Sequence, residues 1–122
     1  MTLLAALHLL CIPLGIIYSN ILEWVLHKYV LHGLGKNKKS RWASHWHGHH
    51  RSSRKNNNYD PDYSKGLFDP AARGEIIGLI VLGIFHLPLI LVTPLFYITL
   101  IYCAIKYYII HKKAHLDPAW CK

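Results

Sequence analysis

Two long apolar blocks, Leu3 to Val30 and Ile76 to Ile105, enclose a polar stretch from Gly33 to Arg73. The first block carries only Glu23 and Lys28 as charges, and the second carries none. About 20 apolar residues in a helix cross a hydrocarbon core of roughly 30 Å, so each block predicts membrane helix. The first is too long for the apolar region of a signal peptide and lacks a basic start, which marks it as a retained transmembrane helix.

The second block holds more chain than one crossing uses. From Ile76 to Ile110 a single helix would extend about 52 Å at 1.5 Å per residue. Pro88 and Pro94 sit near its middle, where each removes a backbone donor and disfavours unbroken helix. The pattern therefore predicts a hairpin of two membrane helices, roughly Glu75 to Leu91 and Pro94 to Ile110. The expected fold is all-α: an integral membrane bundle of about three transmembrane helices, one N-terminal and two in the hairpin. It forms one domain over 1–122, comprising a first helix (1–32), a polar segment (33–74), the hairpin (75–110) and a C-terminal piece (111–122).

Composition strengthens the membrane assignment. The chain is 52% hydrophobic yet has a formal net charge of +8, with a mean hydropathy of +0.19, a combination that soluble basic domains seldom show. Lys36, Lys38, Lys39, Arg41, Arg51, Arg54 and Lys55 crowd the polar segment, and short Lys/Arg-rich loops stay on the cytoplasmic side. These charges suit anionic headgroups, at about 1 kcal/mol each near a charged leaflet, or an acidic electron donor. Nucleic acid is excluded as a partner, because the basic run lies between membrane helices rather than on a soluble face. The expected location is an integral membrane, either bacterial inner membrane or endoplasmic reticulum, with the polar segment on the cytoplasmic face. Lys106, Lys112 and Lys113 return the end of the hairpin to that side.

Ten histidines give this interface its chemistry. "HKYVLH" sets His27 and His32 five apart at the inner end of the first helix. "HWHGHH" sets His45 and His49 four apart with His50 adjacent, and "HKKAH" sets His111 and His115 four apart. Residues four apart share a helical face, so such a pair can reach a single ion without unwinding the backbone. Neutral imidazole suits zinc, copper, iron and nickel. Cys11, Cys103 and Cys121 show neither C-x-x-C spacing nor a disulfide framework.

The order H-x4-H, then H-x3-H-H, then a membrane hairpin, then H-x3-H resembles the integral-membrane fatty acid hydroxylase and sterol desaturase superfamily over nearly the whole chain. The resemblance implies a cytoplasmic site for two iron ions held by His27, His32, His45, His49, His50, His111 and His115. No catalytic group is implied beyond these ligands. It further implies O2 as co-substrate, an external electron donor of ferredoxin or cytochrome b5 type, and hydroxylation or desaturation of a fatty acyl, sterol or related lipid. Zinc suits the same imidazoles in a purified or inactive form. The family pattern adds an H-x2-H-H cluster with no counterpart after His115, so a truncated, catalytically inactive member is the alternative. A third reading is a membrane-surface protein whose basic loop binds anionic lipid while its histidines are incidental.

Other residues carry lesser expectations. Glu23, one turn before His27, is expected to orient that ring through a hydrogen bond or to bind metal itself. His47 lies between His45 and His49 on the opposite helical face and is expected to support the site or face solvent. His8 and His86, alone in apolar stretches, are expected to make packing hydrogen bonds. "NNNYDPDYSKGLFDP" predicts a turn-rich connector with Tyr59, Tyr63 and Phe68 as interfacial anchors. Trp24, Trp42, Trp46 and Trp120 match an aromatic belt.

Overall fold

A computed structural model describes residues 2–69 and 73–121; Pro70, which closes the expected connector, lies outside them. Every regular element among the described residues is helical. Helix α1 spans Leu3–Val25, α2 His50–Lys55, α3 Arg73–Phe85, α4 Leu89–Val92 and α5 Pro94–Leu116, with π and 3₁₀ turns between several of them.

Helix α1 starts at Thr2, whose hydroxyl accepts a hydrogen bond from the Ala5 amide, and runs into π and 3₁₀ turns so that helical backbone continues to Lys36. Its main partner is α5. The two approach closely at Gly15, where an added Cβ would come within 3.0 Å of the Thr99 side chain. Thr99 is itself buried, and its hydroxyl is turned back onto the Leu95 carbonyl at 2.7 Å.

The hairpin departs from expectation. Two stretches, Ala5–Lys36 and Pro94–Leu116, are long and apolar enough to cross a membrane, whereas the expected third crossing is broken. Helix α3 has 13 residues, about 20 Å, and stops at Phe85. Pro88 lacks the amide that would continue the ladder. Tight turns replace it, with Leu87 N–H on the Ile84 carbonyl and Leu89 N–H on the His86 carbonyl. His86 stabilises the break: its Nδ1 donates to the Leu82 carbonyl at 2.8 Å, and the Tyr18 hydroxyl of α1 donates to its Nε2 at 2.9 Å. Tyr97 of α5 donates to the Gly83 carbonyl.

Apolar side chains along α1, α3 and α5 point outward, among them Leu10, Leu14, Ile17, Ile21, Ile80, Ile84, Ile98 and Ile105. The three cysteines are free. Several cations rest on aromatic faces near the helix ends: Lys28 on Trp24 at 4.6 Å, Lys113 on Trp120 at 4.3 Å, and both Lys36 and Arg54 on Trp46.

The polar connector is built by two asparagines. Asn57 and Asn58 have φ of 52° and 70°, in the left-handed region that Asn tolerates better than most residues. They reverse the chain after α2, close Asn58 N–H onto the Ser53 carbonyl at 2.8 Å, and carry Asp60 N–H to the His115 carbonyl at 3.0 Å. Tyr59 and Phe68 are exposed, while Tyr63, expected at the interface, is buried. The reversal turns Tyr63 inward beneath the histidines.

Candidate metal centre

The two histidine pairs spaced five apart sit on unusual backbone. Leu26–Gly33 and Ser44–His49 are π-helical, with hydrogen bonds spanning five residues instead of four. The wider turn brings positions five apart onto one side. It places the His27 and His32 rings 4.5 Å apart and the His45 and His50 rings 4.8 Å apart. Gly35 seats the second segment against the first: it is buried, and a Cβ there would strike the Trp42 carbonyl at 2.9 Å.

Each of His27, His32, His45 and His50 offers a nitrogen within 4.8 Å of the others. The Nε2 atoms of His45 and His50 stand 3.2 Å apart, and His32 Nε2 is buried without a hydrogen-bond partner. With metal–nitrogen bonds of roughly 2.0–2.1 Å, tetrahedral ligands lie about 3.3–3.4 Å from each other, so converging lone pairs at this separation fit a shared cation. Burial, followed by the neighbouring imidazoles His50 and His49, pushes His45 down to about 2. His50 is pushed down to about 4, chiefly by burial and then by His49. Both rings are therefore neutral near pH 7, the form that binds metal.

His49, His111 and His115 make the second group, again with nitrogens within 4.8 Å. His49 donates through Nδ1 to Asp60 Oδ2 at 2.6 Å, leaving its buried Nε2 unpartnered. His115 donates through Nδ1 to the Asn58 carbonyl at 2.8 Å. Outer hydrogen bonds of this kind fix the tautomer and aim the other nitrogen. Asp60 is 1% exposed and also accepts from Ser52 and from the Asp62 amide. Tyr63 stacks on His115 at 5.5 Å and donates to Glu75 Oε2 at 2.7 Å. Burial and the Glu75 charge hold its phenol well above the usual range, so it stays protonated as that donor.

The two groups abut. The His49 ring lies 5.0 Å from His50 in one group and 4.4 Å from His115 in the other, and His27 lies 6.4 Å from His111. A cavity of about 550 Å³ meets both, lined in part by His27 and His32 from the first group and His111 from the second, with Glu23, Trp24 and Tyr107.

No known protein family, curated protein or solved structure matches the chain.

The structure brings the seven histidines together but redistributes them. His45 and His49, whose spacing allows them to reach a single ion, fall into different groups, and His45 groups with His50. The reason is the π backbone, which favours five-residue spacing over the four of an α-helix. His111 and His115 lie on ordinary α-helix and do share a group. His47 stands outside both groups and bonds the Lys36 carbonyl through Nε2 at 2.9 Å. Glu23 is exposed in the cavity wall, and no hydrogen bond joins it to His27 among the described residues. Asp60, Glu75 and Tyr107 were not singled out in the sequence. Glu75 had a usable signal: a lone acid heading an uncharged apolar block, the same signal that marks Glu23.

Proposed function

We propose that this chain is a membrane-embedded, O2-dependent non-haem di-iron oxidoreductase of lipid metabolism, hydroxylating or desaturating a C–H bond of a fatty acyl, sterol or related lipid. The observation that carries the proposal is the resolution of seven histidines into adjoining groups of four and three beside one cavity. Imidazole-rich donor sets accept iron and zinc alike. Bound iron would supply dioxygen activation and oxidation of the lipid C–H bond.

The chain's own residues do the positioning. Asp60 and the Asn58 carbonyl hold His49 and His115 with Nε2 inward. Trp46 packs edge-on against His32 at 5.1 Å and shields that ring. The cavity has a volume typical of small-ligand sites, and its walls come from the extended first helix and from α5, the two elements long enough to reach through a bilayer. A lipid chain can therefore approach from among its neighbours. The exposed Lys36, Lys38, Lys39, Arg41, Arg51, Arg54 and Lys55 support a cytoplasmic position for the site through the positive-inside rule. They also offer a face for an acidic ferredoxin or cytochrome b5-type donor.

Protein purified in detergent without a histidine tag is expected to carry about two irons per chain by plasma mass spectrometry. His45→Ala with His49→Ala, one ligand from each group, removes at least one. Lipid extracts of expressing cells grown under ¹⁸O₂ are expected to show a labelled or newly unsaturated lipid that the double variant lacks. Absence of stoichiometric metal from the wild-type chain overturns the proposal.

A further inference from the structure

The three-histidine group is one donor short of the four-histidine group, and one acidic side chain stands beside the gap. Glu75, in the first turn of α3, places Oε1 at 4.0 Å from His111 Nε2. Both atoms are buried, and neither meets hydrogen-bond geometry with a partner, although the Tyr107 hydroxyl also interacts with the Glu75 carboxylate. Two unsatisfied polar atoms facing each other below the surface are costly for a fold to keep. A direct hydrogen bond would satisfy both, but 4.0 Å is beyond its reach. Toward His111 it is close to the separation of two ligands on one ion, while Glu75 stands outside the 4.8 Å cluster that His49, His111 and His115 form, so its side chain must swing inward to complete the set.

Tyr63 explains why Oε1 is the free atom. Its hydroxyl holds Oε2 at 2.7 Å while its ring packs against His111 and His115, so the second carboxylate oxygen is turned toward the histidines. Charge points the same way. A divalent ion among three imidazoles meets only the Asp60 carboxylate, and that one through the outer nitrogen of His49; Glu75 would add a negative charge directly at the ion, where burial makes an unbalanced charge expensive.

We propose that Glu75 is the fourth protein ligand of the three-histidine site, so that one metal is held by nitrogen alone and the other by three nitrogens and a carboxylate oxygen. This rests on the two-metal reading above and makes its two sites chemically unequal. The harder oxygen donor shifts the second site toward harder ions.

Glu75→Gln tests the assignment cleanly, since the amide keeps the shape and still accepts from Tyr63 but loses the anionic oxygen. The full-length protein, stripped with chelator and titrated with Co²⁺, is followed by bound cobalt per chain and by visible ligand-field absorption. The wild type is expected to bind two ions. Glu75→Gln is expected to retain one and to bind the other at least about tenfold more weakly. His115→Ala is expected to lose the same ion, so that combining it with Glu75→Gln costs no further metal. The retained ion shows that the variant is folded. Two ions bound by Glu75→Gln with unchanged affinity and spectrum would overturn the assignment. Loss of both ions would also overturn it, by showing that Glu75 supports the fold instead of one site. A wild type that binds no metal defeats the two-metal reading itself, and this inference with it.

Discussion

Asp60 shows how much a single side chain can organise. It is almost sealed from solvent, yet its carboxylate takes hydrogen bonds from His49, Ser52 and the Asp62 amide, while its own amide bonds the His115 carbonyl. Two histidines of the candidate site, from distant elements, are thus tied to one residue. Asp60→Asn is expected to weaken metal binding at the three-histidine site by roughly 10–100-fold while sparing the other site, as read by competition with a chromophoric chelator. The histidines were legible in the sequence because residue type and local spacing both carry ligand chemistry. Asp60 and Glu75 were not, because they meet their histidines only after the asparagine reversal and the packing of α3, which leave no local pattern. Tyr63 was misassigned for the same reason: an aromatic in a polar connector reads as an interfacial anchor until the turn buries it.

At the level of elements, the π turns are the feature that spacing alone concealed. A five-residue interval places two rings on diverging faces of an α-helix, and a π turn, which holds an extra residue in the ring of each backbone hydrogen bond, restores convergence. Deleting Tyr29 from "HKYVLH" would convert the interval to four and allow the segment to relax to α-helix. The shortened pair would converge on α-helix as His111 and His115 do, so the expected result is near-unchanged helical content by circular dichroism, with the metal of the four-histidine group retained. Loss of that metal would mean that the π backbone itself, beyond the convergence of the two rings, is needed for ligation. Helix α5 needed no such device and kept its histidines on one face, which is why that pair alone shared a group as four-residue spacing anticipates. The prolines located the interruption in the second apolar block correctly in kind. They did not reveal that His86 and Tyr18 would secure the break and shorten its first arm.

For the molecule as a whole, the apolar residues that a water-soluble domain of this size would bury are turned outward along α1, α3 and α5, an arrangement that marks an interaction with lipid or with another protein. The chain is expected to stay in the membrane pellet through alkaline carbonate extraction and to need detergent for release. Recovery in the carbonate supernatant would favour a soluble partner for those faces. The broken first arm of the hairpin carries a consequence for the surrounding lipid. Helix α1 offers about 34 Å of length and α3 only about 20 Å, so in a bilayer the protein would be tall on one flank and short on the other. Lipid accommodates such a mismatch by thinning beside the short flank or by tilting the whole molecule. Thinning draws the headgroup layer down toward α3, and so brings the water-facing edge of the membrane nearer to the helix whose first turn carries Glu75.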